Sequence, residues 1–285
     1  MKKKKILILG SKGFYGSRLK VFLKEKKLKV FTDHKFKIHL KNSESRFYLN
    51  KLILLTKPEI IINLVANTDI NFCEKNRKEA KKSNVYFIKN LVELIQFNKL
   101  KTYLIHFSTD QVYNGKGNHN EKKTNPKNYY GLTKLSGEYH ANKVSSLILR
   151  LNFIGKSKNK KNLSDWIINN LKRNKAINVF QNIFFSPIHI STLNKLILRL
   201  IKKPAIGTFN VGSKDSISKS KFASYLCHYL KFDKKKLNYV NYKKNLFGVA
   251  RPLDMSLNVS KFEKSLKIKL PLVKKEIIKL IKEYK

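Results

Sequence analysis

The sequence predicts an α/β fold, a doubly wound parallel sheet followed by a smaller C-terminal α+β region. Short apolar runs alternate with amphipathic segments over the first half, a glycine cluster follows the first run, and the alternation loosens beyond residue 155. The chain has 285 residues, of which 42% are hydrophobic and 11% aromatic, so it can bury a sizeable core. This composition excludes a disordered protein, and the length fits a main domain with a smaller partner.

The first half contains the alternating elements. Short apolar runs are typical of buried parallel strands, and apolar residues at i, i+3 and i+4 indicate helices. The predicted strands are 6–9, 28–32, 59–66, 102–107 and 146–153, and the predicted helices between them are 15–26, 49–56, 84–97 and 129–142. Right-handed crossovers between such strands produce a doubly wound sheet with helices on both faces.

The second half has a less regular pattern. It predicts helices 163–173, 191–202, 219–230 and 272–283, with strands near 177–180 and 208–211. We therefore divide the chain into 1–153, a Rossmann domain, and 154–285, a smaller region with one or two segments returning to the sheet. Trp166 lies beside Ile167 and Ile168 on a predicted helix, which favours a place in the core.

The charge is strongly basic. Lys and Arg number 62 against 18 Asp and Glu, which gives +44, but only seven of the 62 are Arg and the Lys residues are spread along the chain. Base readout and phosphate recognition favour Arg, so compositional drift explains the charge better than a polyanion-binding role, and we expect no specific nucleic acid partner. Two distant cysteines and short apolar runs predict a cytoplasmic protein without a disulfide framework or a membrane span.

A glycine turn follows the first strand. Gly10, Gly13 and Gly16 stand where a Rossmann fold needs a tight turn, close backbone approach to a diphosphate, and close helix packing. Asp33 ends the second strand, 23 residues after Gly10, where an acid can accept from ribose hydroxyls. Lys35 nearby favours a 2′-phosphate instead. The sequence thus predicts NADH or NADPH without choosing between them, and an ordinary loop acid remains the alternative for Asp33.

A second constellation carries carbonyl chemistry. Tyr130 and Lys134 stand at i and i+4 on one helix, and Thr109 follows the strand 102–107. A nearby ammonium lowers the pKa of a phenol, and a hydroxyl can hold a substrate oxygen. A Tyr–Lys pair occurs often by chance in a Lys-rich chain, but together with Thr109 and the glycine turn it predicts an NAD(P)-dependent oxidoreductase.

These motifs resemble an extended short-chain dehydrogenase/reductase, and within it the dTDP-4-dehydrorhamnose reductase-like branch. The resemblance extends over nearly the whole chain. Beyond the residues above, it rests on the stretches 63–66, 108–110, 126–138, 150–153, 184–187, 207–212 and 251–257. It implies that Tyr130 protonates the carbonyl oxygen, that Lys134 tunes Tyr130 and binds the nicotinamide ribose, and that Thr109 holds the same oxygen. Ala66 would line the cofactor cleft.

The resemblance also implies NAD(P)H-dependent reduction of the 4-keto group of a nucleotide-activated deoxysugar, for surface polysaccharide precursors. We expect substrate contacts from Thr109, Asp110, Gln111, Asn152 and Arg251. Arg150 is a further candidate for the diphosphate, with a structural ion pair as the alternative for both arginines, since a planar guanidinium suits either partner.

Two other functions stay open, a nucleotide-sugar epimerase and a non-catalytic cofactor-binding subunit. A dehydratase is disfavoured because related dehydratases carry a Glu base where this chain has Gln111, and Gln cannot take a proton. The chain has few acids, so we expect no metal. A homodimer also stays open.

Overall fold

The computed structural model describes residues 4–33, 44–157, 162–243 and 248–285. Lys35, considered above for a 2′-phosphate, lies outside these residues. The chain forms two compact units. The first unit comprises Met1–Val112, Asn128–Arg150 and Ile197–Phe209, and the second Tyr113–Lys127, Leu151–Leu196 and Asn210–Lys285. The division of the chain at residue 153 stays a prediction.

The first half of the chain alternates strands with helices. Its elements are β1 (Lys5–Leu9), α1 (Phe14–Glu25), β2 (Lys29–Thr32), α2 (Glu44–Thr56), β3 (Ile60–Asn63), α3 (Ile70–Lys75), α4 (Arg77–Lys81), α5 (Phe87–Phe97), β4 (Tyr103–Phe107), α6 (Tyr129–Ala141) and β5 (Ser146–Leu151). A π-helical turn, Lys82–Tyr86, joins α4 to α5, and a 3₁₀ turn, Asp110–Val112, follows β4.

The second half contains shorter elements. They are β6 (Phe153–Ile154), α7 (Leu163–Lys172), β7 (Ile177–Phe180), β8 (Phe184–Phe185), β9 (Ile188–His189), α8 (Ile190–Lys202), β10 (Gly207–Val211), β11 (Ile217–Ser218), α9 (Lys219–Leu230), β12 (Leu237–Val240), β13 (Asp254–Met255), α10 (Ser260–Leu266) and α11 (Val273–Lys282). A 3₁₀ turn, Lys234–Lys236, precedes β12.

A six-stranded sheet organises the first unit. Its order is β10-β5-β4-β3-β1-β2, and the pairs β1–β2, β1–β3, β3–β4 and β4–β5 are parallel. The chain passes from β1 to one neighbour, β2, and then returns to the other side of β1 as β3. The carboxyl ends of strands at such a reversal form the crevice where α/β proteins bind ligands. The predicted Rossmann-type fold is confirmed.

The core of this unit explains why apolar and polar residues do not alternate along its strands. Residues 6–9 of β1 are fully buried, and so are 60–63 of β3 to within 2%. Helix α5 presents Ile88, Leu91, Val92 and Ile95 to one side of the sheet. Strands covered on both faces must be apolar at every position, which is the pattern of short continuous runs in the sequence.

The second unit has its own hydrophobic core, to which α7, α9 and α11 contribute. Phe185 and Phe222 meet edge to face at its centre, with ring centroids 5.5 Å apart. Trp166 lies on α7 but is 45% exposed, so the prediction that it belongs to the core is wrong. Helix α7 buries Ile167, Ile168 and Leu171 instead, and Trp166 falls on the opposite face.

Candidate active site

The glycine turn packs tightly between strand ends. Gly10 follows β1 with a φ of +81°, and a Cβ there would lie 2.9 Å from the carbonyl carbon of Leu64, just beyond β3. Gly16 lies in the first turn of α1, where a Cβ would stand 2.3 Å from the carbonyl oxygen of Gly10. Both positions therefore require glycine, one for its left-handed backbone and both for close approach.

The start of α1 is open on its outer side. Gly13 precedes the helix, is exposed, and would bring an added Cβ near only the Gly10 carbonyl oxygen, at 3.2 Å. Among the described residues, no side chain caps this helix end and no acid lies in its first turn. Uncapped N–H groups and the helix dipole attract an anion. These residues fit the diphosphate of a dinucleotide.

Asp33 is tied to the same turn. Its Oδ2 accepts the backbone N–H of Gly10 at 2.6 Å, and its Oδ1 accepts from the backbone N–H of Ser11 at 3.2 Å and from the Ser11 hydroxyl. Asp33 is half-buried rather than a free loop acid. An ionised carboxylate offers about four acceptor positions, so three donors leave room for one more. Its predicted contact with ribose stays a prediction.

The predicted phenol and hydroxyl come together. Thr109 follows β4, and Tyr130 is the second residue of α6 and 7% exposed. The Thr109 side chain lies close enough to the Tyr130 phenol to lower its pKa. Helix α6 begins where it does because the side chain of Asn128 accepts the backbone N–H of Gly131 at 2.9 Å, and this cap fixes the first turn that carries Tyr130.

Burial dominates the acidity of Tyr130. It raises the pKa of the phenol well above the usual 10, the charge of Asp110 raises it further, and the nearby Thr109 side chain only partly offsets both. The pKa of the phenol is thus raised overall, and the expectation that Lys134 lowers it stays a prediction. The phenol is therefore protonated throughout the neutral range.

Lys134 follows Tyr130 by one turn and is 2% exposed. Its ammonium donates to the carbonyl oxygen of Phe107, at the end of β4, at 2.6 Å. Burial lowers the pKa of Lys134 from 10.5 to about 8, and the charge of Glu138 opposes this shift. An ammonium has three donors, so the Phe107 contact leaves others for a ligand.

The remaining predicted contacts in the first unit are Asp110 and Gln111, which follow Thr109, and Ala66, which follows β3. Asp110 is buried, and its Oδ1 lies 3.3 Å from the Thr109 hydroxyl. Gln111 is half-buried and accepts from the side-chain amide of Asn128 at 3.1 Å. Ala66 is half-buried in the segment after β3. For Asp110 and Gln111, contact with a substrate stays a prediction.

Asn152 and Arg251 belong to the second unit. Asn152 is half-buried between β5 and β6, and its carbonyl accepts the backbone N–H of Ile188 at 3.0 Å. Arg251 is also half-buried, shortly before β13. Their predicted roles in substrate binding stay predictions.

Arg150 forms the ion pair that was its alternative. It lies at the end of β5 and is 5% exposed, and its partner Glu138 on α6 is 3% exposed. The guanidinium contacts both carboxylate oxygens, with its Nε at 3.0 and 3.1 Å and its Nη2 at 2.6 Å from Oε2. A guanidinium engaged in this way is not available as a diphosphate clamp, so we no longer expect Arg150 to bind substrate.

Sequence reasoning missed one residue that supports the site. Asn84 is 1% exposed, exchanges hydrogen bonds with the backbone of Asn67, and donates to the Thr133 hydroxyl on α6 at 3.0 Å. It connects the segment after β3 to the helix of Tyr130. An Asn on the apolar face of an amphipathic helix was the available signal, because a buried amide needs partners.

A second missed contact holds the start of α6. Glu74 accepts the backbone N–H of Tyr129 at 3.0 Å and pairs with Arg77, whose guanidinium lies 4.9 Å from the centroid of the Tyr129 ring. The charged pair is only three residues apart, a spacing common on any helix surface. Its distant partner was therefore not visible in the sequence.

The described residues contain no group of three His, Cys, Asp or Glu side chains placed to hold a metal ion. None of the described helices has both the length and the apolar character that a membrane crossing requires.

Known proteins are similar to this chain over most of its length. A probable low-salt glycan biosynthesis reductase, Agl14, from Haloferax volcanii is 26% identical over 231 residues, covering 78% of this chain and 76% of the relative. A crystal structure of a hypothetical dTDP-4-dehydrorhamnose reductase from Sulfolobus tokodaii is 28% identical, with a TM-score of 0.81 over 94% of this chain and 97% of that one.

A second solved structure is similar in fold. The dTDP-4-dehydrorhamnose reductase from Bacillus anthracis, in complex with NADP, has a TM-score of 0.87 and 23% identity, covering 99% of this chain and all of that one. Residues 4–285 also match the family described as the RmlD substrate binding domain. The match spans both halves of the chain, from the glycine turn through the segment of Arg251, and the chain belongs to this family.

Proposed function

We propose that the protein is an NAD(P)H-dependent oxidoreductase that reduces the 4-keto group of a nucleotide-activated deoxysugar, supplying precursors for surface polysaccharide. The observation that carries this proposal is the buried Tyr130 phenol near the Thr109 side chain, with Lys134, also buried, one turn further along the same helix face. The names of the relatives, a probable glycan biosynthesis reductase and dTDP-4-dehydrorhamnose reductases, support the same activity. A cytoplasmic location and a homodimer remain predictions.

Named residues of the first unit would hold the cofactor. The backbone of the glycine turn and the start of α1 would bind the diphosphate, Asp33 the adenosine ribose, and Lys134 the nicotinamide ribose. The reduced nicotinamide, when bound, supplies a hydride to the keto carbon. NADH and NADPH both remain candidates.

The residues of this chain supply the proton. Tyr130 is protonated at neutral pH because burial raises its pKa, so the phenol can donate to the oxygen that becomes an alkoxide during reduction. The Thr109 side chain lies near the phenol and would hold the same oxygen. The ammonium of Lys134 would stabilise the phenolate left after transfer. The raised pKa of Tyr130 therefore suits reduction, because the phenol must carry the proton that it donates.

An epimerase is the second candidate, because epimerases are similar in their Thr–Tyr–Lys constellation. The relatives named as reductases favour the first proposal over this one. A non-catalytic subunit is disfavoured because Tyr130, Lys134 and Thr109 are all present.

The test is oxidation of NADH and NADPH with a panel of dTDP-, UDP-, GDP- and CDP-4-keto sugars. We expect turnover with at least one member, and a product two hydrogens heavier by mass spectrometry. A product of unchanged mass would assign an epimerase instead. Cofactor binding without any turnover across the panel would favour the non-catalytic subunit.

We expect Asp33→Asn to weaken cofactor binding. An amide cannot accept at both of its ends, so one of the donors of the glycine turn loses its partner. Hydrogen bonds to a charged group contribute about 1.5–3 kcal/mol, so the dissociation constant should rise about 10- to 100-fold. Titration calorimetry with NADH and NADPH measures the change. Ser11→Ala removes only one of the three donors to this carboxylate and should weaken binding less. Equal affinity of the Asp33→Asn variant and the wild type would contradict this role.

We also expect an alkaline limit to activity. Lys134 loses its proton as pH rises through about 8 in the folded protein, and the site then lacks its positive charge. The value of kcat/KM should therefore fall with an apparent pKa near 8.

The same group has the opposite effect on stability. The folded pKa is about 8 and the usual value is 10.5, so between them the unfolded chain binds more protons and the contribution of Lys134 to the free energy of unfolding rises with pH. Melting curves measured beside the kinetics separate the two effects. A kcat/KM that stays constant from pH 7 to well above 8 would contradict the prediction.

A further inference from the structure

A buried three-residue network lies behind the proposed catalytic group. Glu138 follows Tyr130 and Lys134 at the same spacing, so the three side chains share one face of α6. Its carboxylate takes the bidentate contact from Arg150 and also accepts from the hydroxyl of Ser108, which is itself 8% exposed.

Ser108 stands between the two atoms that hold the catalytic side chains. The carbonyl of the preceding residue, Phe107, accepts from Lys134, and the side chain of the following residue, Thr109, lies close enough to Tyr130 to influence its pKa. The backbone N–H of Ser108 donates to the carbonyl of Leu149 at 2.7 Å, so the strand end is tied to β5 by its backbone and to α6 by its side chain. A shift of Ser108 would move both contacts together.

The carboxylate of Glu138 interacts with two positive groups, the guanidinium of Arg150 and the ammonium of Lys134. Arg150 pairs with both oxygens, which offsets the cost of burying a carboxylate. Glu138 also acts through space on Lys134, one turn away, and favours its protonated form. The remaining acceptor position, toward Ser108, is the one link of the network that is not part of the ion pair.

We propose that Glu138 is a positioning residue for the reaction proposed above: through Ser108 it fixes the strand end whose carbonyl and hydroxyl set Lys134 and Tyr130. The inference rests on the proposed function. Glu138 does not contact the substrate, and its effect is on the geometry and charge of two groups that do. The Ser108 hydroxyl, rather than the ion pair, transmits the position.

The test is Ser108→Ala, which removes this link and leaves the pair of Glu138 and Arg150 intact. We expect kcat to fall about tenfold, with KM for both substrates within about twofold and a melting temperature within a few degrees of the wild type. Ser108→Thr retains a hydroxyl and should recover most of kcat. The matched control is Ser136→Ala on the same helix, whose hydroxyl bonds only to the Leu132 carbonyl among the contacts seen, and which should have no effect.

A second measurement does not need turnover. In protein labelled with ¹⁵N-lysine, the Nζ resonance that Lys134→Met removes can be titrated in wild type, Ser108→Ala and Glu138→Gln. We expect a lower midpoint in Glu138→Gln, and a midpoint displaced from wild type in Ser108→Ala.

Each outcome decides the inference. Wild-type kcat and midpoint in Ser108→Ala would overturn it, and so would a loss of kcat that only follows a loss of folded protein. If the wild type itself turns over no sugar, the proposed function has failed, and the titration alone still decides whether Ser108 and Glu138 position Lys134.

Discussion

Tyr130→Phe is expected to abolish turnover while cofactor affinity stays within about twofold of the wild type. The phenol is buried and protonated and lies near Thr109, and its hydroxyl is the only part that this substitution removes. General acid catalysis contributes about 10²- to 10⁴-fold, so kcat should fall by at least about a hundredfold. The measurement is kcat with the best sugar of the panel, beside the dissociation constant of the cofactor.

The neighbouring residue provides a matched control. Tyr129→Phe makes the same change one position earlier, where the ring lies under the Arg77 guanidinium and the i+4 residue is Thr133, not lysine. We expect this variant to retain kcat within about twofold, since its hydroxyl is not bonded to Thr109. Full activity in Tyr130→Phe, or equal loss in both variants, would remove Tyr130 from the role of acid.

Among the variants proposed for this protein, Arg150→Met is expected to lower the free energy of unfolding most. It leaves Glu138 buried without its main partner, at 3% exposure, and breaking a buried ion pair from one side costs about 3–5 kcal/mol. The free energy of unfolding, from urea denaturation followed by circular dichroism, should fall by this amount. In a marginally stable protein this is a large fraction of the total.

Two further variants test whether burial of the ion pair determines how much free energy of unfolding is lost. Arg46→Met breaks another Arg–Glu contact, with Glu93, but both side chains are more than a third exposed, so its effect should stay below about 1 kcal/mol. Adding Glu138→Leu to Arg150→Met removes the orphaned carboxylate and should recover most of the loss. Equal effects of Arg46→Met and Arg150→Met would show that burial does not govern the energy of these pairs.

The catalytic spacing was accessible from the sequence because it is local. Tyr130 and Lys134 share a helix face by periodicity alone, and Thr109 follows a strand that its apolar run identifies. The glycine turn is local in the same sense, since Gly10, Gly13 and Gly16 fall within one loop and the start of one helix.

The sequence could not identify the partner that each charged side chain contacts. The carboxylate of Asp33 bonds to the turn 22 and 23 residues earlier, and the partner of Arg150 is Glu138 rather than a phosphate. The direction of the Tyr130 pKa shift depends mainly on burial, which the charge of Asp110 reinforces and which no local sequence pattern reveals. Each of these depends on which segments meet in three dimensions.

One predicted helix boundary is wrong for a related reason. The sequence predicted a helix over 84–97, whereas α4, the π-helical turn and α5 run without a break from Arg77 to Phe97. The additional turns are rich in charged residues and carry little apolar periodicity. Contacts such as Ala80 with Cys73 and Tyr130 hold them instead.

The edge strand β10 has a consequence for how the protein is made. It joins the sheet beside β5 although more than fifty residues separate the two in the chain. During translation the ribosome must therefore deliver about two hundred residues before the sheet acquires its last member. Until then one edge of β5 is unpaired, and an unpaired strand edge promotes association between nascent chains. A gene fragment ending near codon 153 would leave that edge uncovered for good, and should yield aggregates where the complete open reading frame does not.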